Sequence, residues 1–271
     1  MKHGIVIPCY NESSRLQLDT YIRFAEAHPD TTLCFVNDGS ADTTRSTLAH
    51  IKNLVSENVY VYHVEENAGK ANAVRQGASF LYRETDVDTI GFLDADLSTG
   101  FDEYGELLHA IEADHSLNVV FGSRNMGGGI ERNPARKLIS DGVKLCIRLI
   151  TRLNIADTQC GAKVFHRSLI PLIYNTPFVS RWLFDVEILL RLKKKMGKAA
   201  FLKIFLEKPL SKWVHMDGSK LDMKESLKIP ASLLRIWKHY ELNQINISLP
   251  KAKGTDYAAN KPISQTLTTE L

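Results

Sequence analysis

Residues 92–98 read Phe-Leu-Asp-Ala-Asp-Leu-Ser, FLDADLS, with two carboxylates one residue apart directly behind a hydrophobic run. An apolar run that ends abruptly in acids reads as a buried strand stopping at a polar edge. The pattern recurs along the first half of the chain. IVIPCY leads to Asn11 and Glu12, LCFVN leads to Asp38, and NVVFGS leads to Arg124. Between these runs lie stretches of helical period, from about Ser13 to Ala27, Thr43 to Val55, Lys70 to Arg83 and Phe101 to Ala113, with a further strand-like VYVYHV at 59–64. Short β-branched runs alternating with helices are the mark of βαβ units, so the expected class is α/β, a mainly parallel sheet flanked by helices. Such sheets bind ligands outside the carboxyl ends of their strands. The charged residues fall at those ends.

Beyond Arg124 the alternation stops. NMGGGIERNP leads into an expected amphipathic helix from about Ala135 to Leu153, then CGAKVFH, a helix from Phe184 to Met196, and a strand-like AAFLKIFLE. We expect residues 1–125 and 126–245 to form two halves of one domain, with 250–271, polar and without periodicity, as a mobile tail.

Composition narrows the function classes. The 271-residue chain carries a net charge of +3, too little to imply nucleic-acid binding. Its four cysteines, Cys9, Cys34, Cys146 and Cys160, include no CxxC pair, which argues against a zinc site and fits a reducing compartment. GIVIPCY begins at residue 4 without a cleavage pattern, and no apolar run reaches the roughly 18 residues of a membrane span. The expected location is the cytoplasm.

An isolated Asp after a strand usually caps the next turn. Two acids in an extended i, i+2 arrangement point the same way and can approach one divalent cation, a hard ion that prefers oxygen. Such an ion neutralises a diphosphate leaving group. A basic stripe, Arg136, Lys144, Arg148 and Arg152 with Ser140 among them, recurs every four residues along the expected 135–153 helix, beside Leu145, Leu149 and other apolar residues. A cationic amphipathic helix of this kind either lies in a membrane interface or presents a solvated face. FDVE at 184–187 opens a helix with acids, where Asp185 and Glu187 complement the helix dipole or serve the reaction.

The order and spacing of IPCYNE (7–12), FVNDGS (35–40), NAGKANAVRQG (67–77), FLDADLS (92–98) and GSR (122–124) resemble family 2 glycosyltransferases of the GT-A fold. DTQCGAKVF (157–165), RWLFDVEIL (181–189) and WVHMDGSKL (213–221) resemble the dolichyl-phosphate glucosyltransferase branch and related polyprenyl-phosphate enzymes. The resemblance covers about residues 4–240 and implies a GT-A fold with a single mixed, mainly parallel sheet, in which residues 1–125 are the nucleotide-sugar-binding half and 126–245 the acceptor-binding half. It implies that Pro8, Tyr10 and Glu12 line the nucleotide pocket, Asp38 reads the base, and Lys70 and Asp94 lie near ribose and sugar. Asp96 would be the main ligand of a Mg2+ or Mn2+ ion, with Asp94 beside it. Arg124, Arg136 and Ser140 would hold an acceptor phosphate, with Lys220 and, more weakly, His215 closing over the diphosphate. Asp185 would be the acid that deprotonates or orients the acceptor. Ser98 stands where related mannosyltransferases place a metal-binding Gln. The implied activity is inverting transfer of a sugar, glucose from UDP-glucose, to a polyprenyl phosphate at a membrane surface reached peripherally. The alternative is transfer to a saccharide hydroxyl.

Other classes fit less well. A sugar nucleotidyltransferase would want a Gly-rich basic loop where this chain has CYNESS, and a dinucleotide-binding protein would want GxGxxG there. A non-catalytic sugar-nucleotide module would not need an intact DxD.

Overall fold

A computed structural model of the chain describes residues 1–124, 134–214 and 228–242. Seven strands form one sheet: β1 (His3–Cys9), β2 (Thr31–Asp38), β3 (Val59–Val64), β4 (Thr89–Leu93), β5 (Val119–Ser123), β6 (Ala162–His166) and β7 (Phe205–Pro209). Their order is β3-β2-β1-β4-β6-β5-β7. Only β6 runs against its neighbours, pairing antiparallel with β4 and β5, while β1–β2, β2–β3, β1–β4 and β5–β7 are parallel. The mixed, mainly parallel sheet expected from the sequence is therefore present.

Helices α1 (Leu18–Ala27), α2 (Thr44–Leu54), α3 (Lys70–Glu84) and α4 (Phe101–Ala113) alternate with the first five strands. Because side chains alternate across a strand, β1 feeds two cores. Val6 joins one with residues of α3, together with Phe92, Phe121 and Phe184. Ile5 and Ile7 join the other, with residues of α1, α2 and α4. A third cluster joins α5 (Pro134–Thr151), α7 (Phe184–Met196) and α9 (Ile229–Trp237) through Ile147, Val186, Leu190, Leu233 and Ile236. Two short helices, α6 (Ile170–Tyr174) and α8 (Lys198–Lys203), a 3-10 turn at Arg167–Leu169 and a π turn at Lys238–Leu242 complete the described elements.

Three local expectations need correction. The stretch AAFLKIFLE is not one strand: Gly197, at φ +82°, ends α7, and the Ala-rich start then forms α8. Only Phe205–Pro209 pairs as a strand, where β5 offers it an edge. The first helix begins at Leu18 rather than Ser13, because residues 12–16 make a turn in which the Arg15 and Leu16 amides donate to the Glu12 carbonyl. Asp94–Leu97 is likewise a turn rather than extended chain, closed by the Leu97 amide on the Asp94 carbonyl at 3.1 Å. The argument that extended geometry aligns Asp94 and Asp96 therefore fails, since β4 has already ended at Leu93.

Candidate active site

The chain returns across the sheet after β3, so β1 and β4 become neighbours whose connections leave in opposite directions. Their carboxyl ends form the crevice where open α/β sheets bind ligands. A cleft of about 530 Å³ opens there, within the usual range for a small-molecule site. Pro8, Tyr10, Glu12, Asp38, Lys70, Asp94, Asp96, Arg124 and Asp185, expected from the sequence, all line it. The turn at 94–97, despite overturning the extended-strand argument, still brings both acids to this wall.

Each acid of the pair is matched with a cation. Lys70 Nζ lies 2.5 Å from Asp94 Oδ1, and Arg15 Nη2 lies 2.9 Å from Asp96 Oδ2. The Ser98 amide donates to the other Asp96 oxygen at 3.0 Å. Asp94 is pressed against Gly161: a Cβ on that glycine would lie 2.1 Å from Asp94 Oδ2. Because β6 runs antiparallel, the loop before it, residues 157–161, arrives at the same edge as the ends of the parallel strands. Sequence alternation does not reveal that reversal.

Just past β5, Arg124 grips Asp157 bidentately, Nε–Oδ2 2.6 Å and Nη2–Oδ1 2.8 Å. Burial works to raise the Asp157 carboxyl, but the hydrogen bonds and charge of Arg124 prevail and hold it to about 2. Glu207 on β7 supports this loop by accepting the Ala156 and Asp157 amides. Trp213 lies against the guanidinium, 5.7 Å from ring centre to Cζ. Asp38 is buried and accepts from the Asn67 side chain and from the Ala68 and Gly69 amides. A carboxylate has about four lone-pair sites, so one of them remains for a base. That loop is itself clamped: Arg181 donates to the Asn67 carbonyl and side-chain oxygen, and Gly69, at φ +93°, leaves no room for a side chain beside Arg181.

Residues 4–171 match the family model described as Glycosyl transferase family 2. The chain belongs to glycosyl transferase family 2. Curated relatives point the same way. The chain is 31% identical over 246 residues to a dolichyl-phosphate beta-glucosyltransferase of Trichomonas vaginalis, covering 86% of this chain and 72% of that one. It is 30% identical to the enzyme of that name from Dictyostelium discoideum, covering 88% and 75%, and 31% identical to that from Saccharomyces cerevisiae, with the same coverage. Among solved structures it resembles mannosyl-3-phosphoglycerate synthase from Rubrobacter xylanophilus, with TM-score 0.65 at 17% identity over 90% of this chain and 76% of that one. It also resembles glucosyl-3-phosphoglycerate synthase from Mycobacterium tuberculosis in complex with Mn2+, uridine-diphosphate and phosphoglyceric acid, with TM-score 0.63 at 17% identity over 87% and 78%. The fold is GT-A, and the protein is a glycosyltransferase.

For this family 2 enzyme, sequence reasoning missed several cleft residues: Arg15, Asn67, Gln159, Trp182 and Trp213. Arg15 falls in the stretch expected to be helical, while the other four sit inside motifs that give them no role. Asp185, in the first turn of α7, is 4% exposed and forms an ion pair with Lys163 at 2.8 Å. Burial raises its pKa, countered in part by Lys163 and Lys70. Glu187 points away from the cleft, accepting from the Val179 and Ser180 amides and the Tyr240 hydroxyl. Lys220, His215 and the 250–271 tail lie outside the described residues, as do the side chains of Arg136 and Ser140 on α5.

The oxygen-rich wall suits a divalent ion. Hard cations take carboxylate oxygens and fill their remaining places with phosphate and water. Among the described residues no three His, Cys, Asp or Glu side chains converge; Asp94 and Asp96 stand on the cleft wall, each now paired with a cation that an incoming ion would have to displace in part.

Proposed function

We propose that this chain transfers glucose from UDP-glucose, with inversion at C1, to a polyprenyl phosphate. One juxtaposition carries the reading: the acidic pair at the β4 end and the Asp157-braced Arg124 line a single cleft. The roughly 30% identity to dolichyl-phosphate beta-glucosyltransferases supports the sugar and the acceptor class.

Uridine would sit against Pro8 and Tyr10, with the spare lone pair of Asp38 accepting from the base. Asp96 and Asp94 would hold Mg2+ or Mn2+, which when bound offsets charge on the departing diphosphate. Lys70 and Arg15 add fixed positive charge along the same wall. Arg124 still has N–H groups beyond those given to Asp157, and these would orient the acceptor phosphate with Arg136 and Ser140. An acceptor oxygen forms the new bond to C1 from the face opposite UDP, and the C1–O bond breaks with its electron pair leaving on UDP. A phosphate needs no deprotonation at neutral pH, as its second pKa is near ~6 in phosphorylated side chains. Asp185 would then orient the acceptor.

The second reading, transfer to a saccharide hydroxyl, draws on the raised basicity of Asp185, which suits a general base. Purified protein incubated with radiolabelled UDP-glucose, Mn2+ and polyprenyl phosphate should give a lipid-extractable β-glucosyl phosphate. Thermal stabilisation by UDP should be larger with Mn2+ than with a chelator, and Asp96→Asn should abolish the difference. Label appearing only on added saccharide would overturn the lipid-phosphate reading in favour of the hydroxyl one.

A further inference from the structure

Lys163 occupies the middle strand of the sheet's mixed half. Its cross-strand partners are Phe92 on β4 and Phe121 on β5. Its ammonium lies 5.1 Å and 4.7 Å from the centres of those rings. The residue is 0% exposed. Nζ makes two polar contacts, the Cys160 carbonyl at 2.5 Å and Asp185 Oδ1 at 2.8 Å.

A buried ion pair seldom gives more stability than well-packed apolar side chains of the same volume. Anchoring α7 to the sheet therefore does not explain why a lysine stands here, particularly since Phe184, Val186 and Ile188 already bury the first turns of α7. What an apolar residue could not do is sustain a carboxylate at Asp185, on the cleft wall yet almost out of water. Lys70, the other cation whose charge reaches Asp185, is committed to Asp94.

We propose that Lys163 is a positioning residue of the transfer reaction: from inside the sheet, and without touching substrate, it fixes the Asp185 carboxylate toward the acceptor. The Cys160 carbonyl and the two rings set where its ammonium can lie, so they also set the direction Asp185 faces. The inference rests on the proposed acceptor-orienting role of Asp185 and holds for a phosphate or a hydroxyl acceptor alike.

The test is a double-mutant cycle on kcat with Lys163→Met, Asp185→Asn and the double variant, each followed by thermal denaturation and by UDP affinity with Mn2+. Lys163→Met should lower kcat at least ~100-fold, in step with Asp185→Asn, with UDP affinity unchanged. The double variant should be no slower than Asp185→Asn alone. It should also melt higher than Lys163→Met, since it no longer buries an unpaired charge. A kcat loss in Lys163→Met at unchanged UDP affinity, with no further loss in the double variant, is what a purely structural lysine would not produce. Should Lys163→Met fail to fold, the double variant against Asp185→Asn decides: a further tenfold loss shows that Lys163 acts on something other than Asp185 and overturns the proposal. Near wild-type turnover in Lys163→Met also overturns it. Full activity of Asp185→Asn would do the same, while leaving the glucosyl-transfer reading intact, because that reading is judged by the product formed.

Discussion

Gly161 shows how tightly single residues set this site. Its missing side chain is what lets the Asp94 carboxylate lie against the loop before β6, with Lys70 on its other oxygen. In Gly161→Ala the new methyl would fall 2.1 Å from Asp94 Oδ2, so the carboxylate must swing or the loop must retreat. We predict a loss of about 1–3 kcal/mol in stability, as for overpacking elsewhere, with a much larger loss of turnover. Chemical denaturation and steady-state kinetics would check this, and wild-type kcat in the variant would refute it. Asp157 makes a prediction in pH. Its carboxyl is held to about 2 by Arg124 against a usual value near ~3.9, a depressed pKa whose stabilisation is complete above ~4 and is lost as pH falls through 2. The stability gap between wild type and Asp157→Asn should be about 2 kcal/mol at neutral pH and close progressively between pH 4 and 2. A gap that does not change over that window would show that the pair's charge is not the source.

Elements decide which of these residues meet. The insertion of β6 between β4 and β5, with reversed direction, delivers residues 157–161 to the cleft edge and places Lys163 against Asp185 in the first turn of α7. At the far side of α7, Glu187 accepts from two amides and from Tyr240, whose hydroxyl also accepts from buried Arg191 at 2.8 Å. That arrangement ties α7 to the segment ahead of it and to the turn that follows α9. Tyr240→Phe strips one bond from each charged partner in the interior. Unmade hydrogen bonds of this kind cost about 1–3 kcal/mol each, so the melting temperature should fall while UDP affinity stays constant. An unchanged melting temperature would show the network to be dispensable. The boundaries of α7 were legible in the sequence because its apolar period is long and Gly197 ends it. The staple was not, since an acid in a helix's first turn looks the same whether it meets solvent or a tyrosine 53 residues away. Likewise the strand-end acids announced the cleft, while Arg15 was invisible until the 12–16 turn was known to replace a helical start.

At the scale of the whole molecule the question is how the cleft would meet the proposed lipid phosphate, since no helix among the described residues is long and apolar enough to cross a bilayer. The expected stripe on α5 is present where its side chains are described: Lys144 and Arg148 are exposed, as is Arg152 just past the helix end. Beside them Leu145 is 58% and Leu149 67% exposed, while Ile147, on the opposite side, is buried against α7 and α9. Exposed leucines alternating with cations fit a headgroup layer better than water. On α9, which packs against α5, Leu234 and Trp237 are exposed as well. Lys144 and Arg148 also line a second, smaller hollow with Asp141 and Ala156. Ala156 adjoins the Asp157 that braces Arg124, so the cationic face and the Arg124 side of the cleft share one loop. If this face meets the membrane, the protein should sediment with vesicles containing anionic lipid and less with neutral ones, and moderate salt should weaken the difference as charge is screened. Arg148→Glu with Arg152→Glu should release it, since each basic residue near such a surface contributes about 1 kcal/mol and reversal doubles the effect. Leu145→Ser with Leu149→Ser should weaken binding to both vesicle types, because it removes the apolar share of the contact. Turnover on a short water-soluble prenyl phosphate should survive all four substitutions. Wild-type protein that stays in the supernatant with anionic vesicles would return α5 to a solvated surface helix and leave the cleft to meet its acceptor in solution.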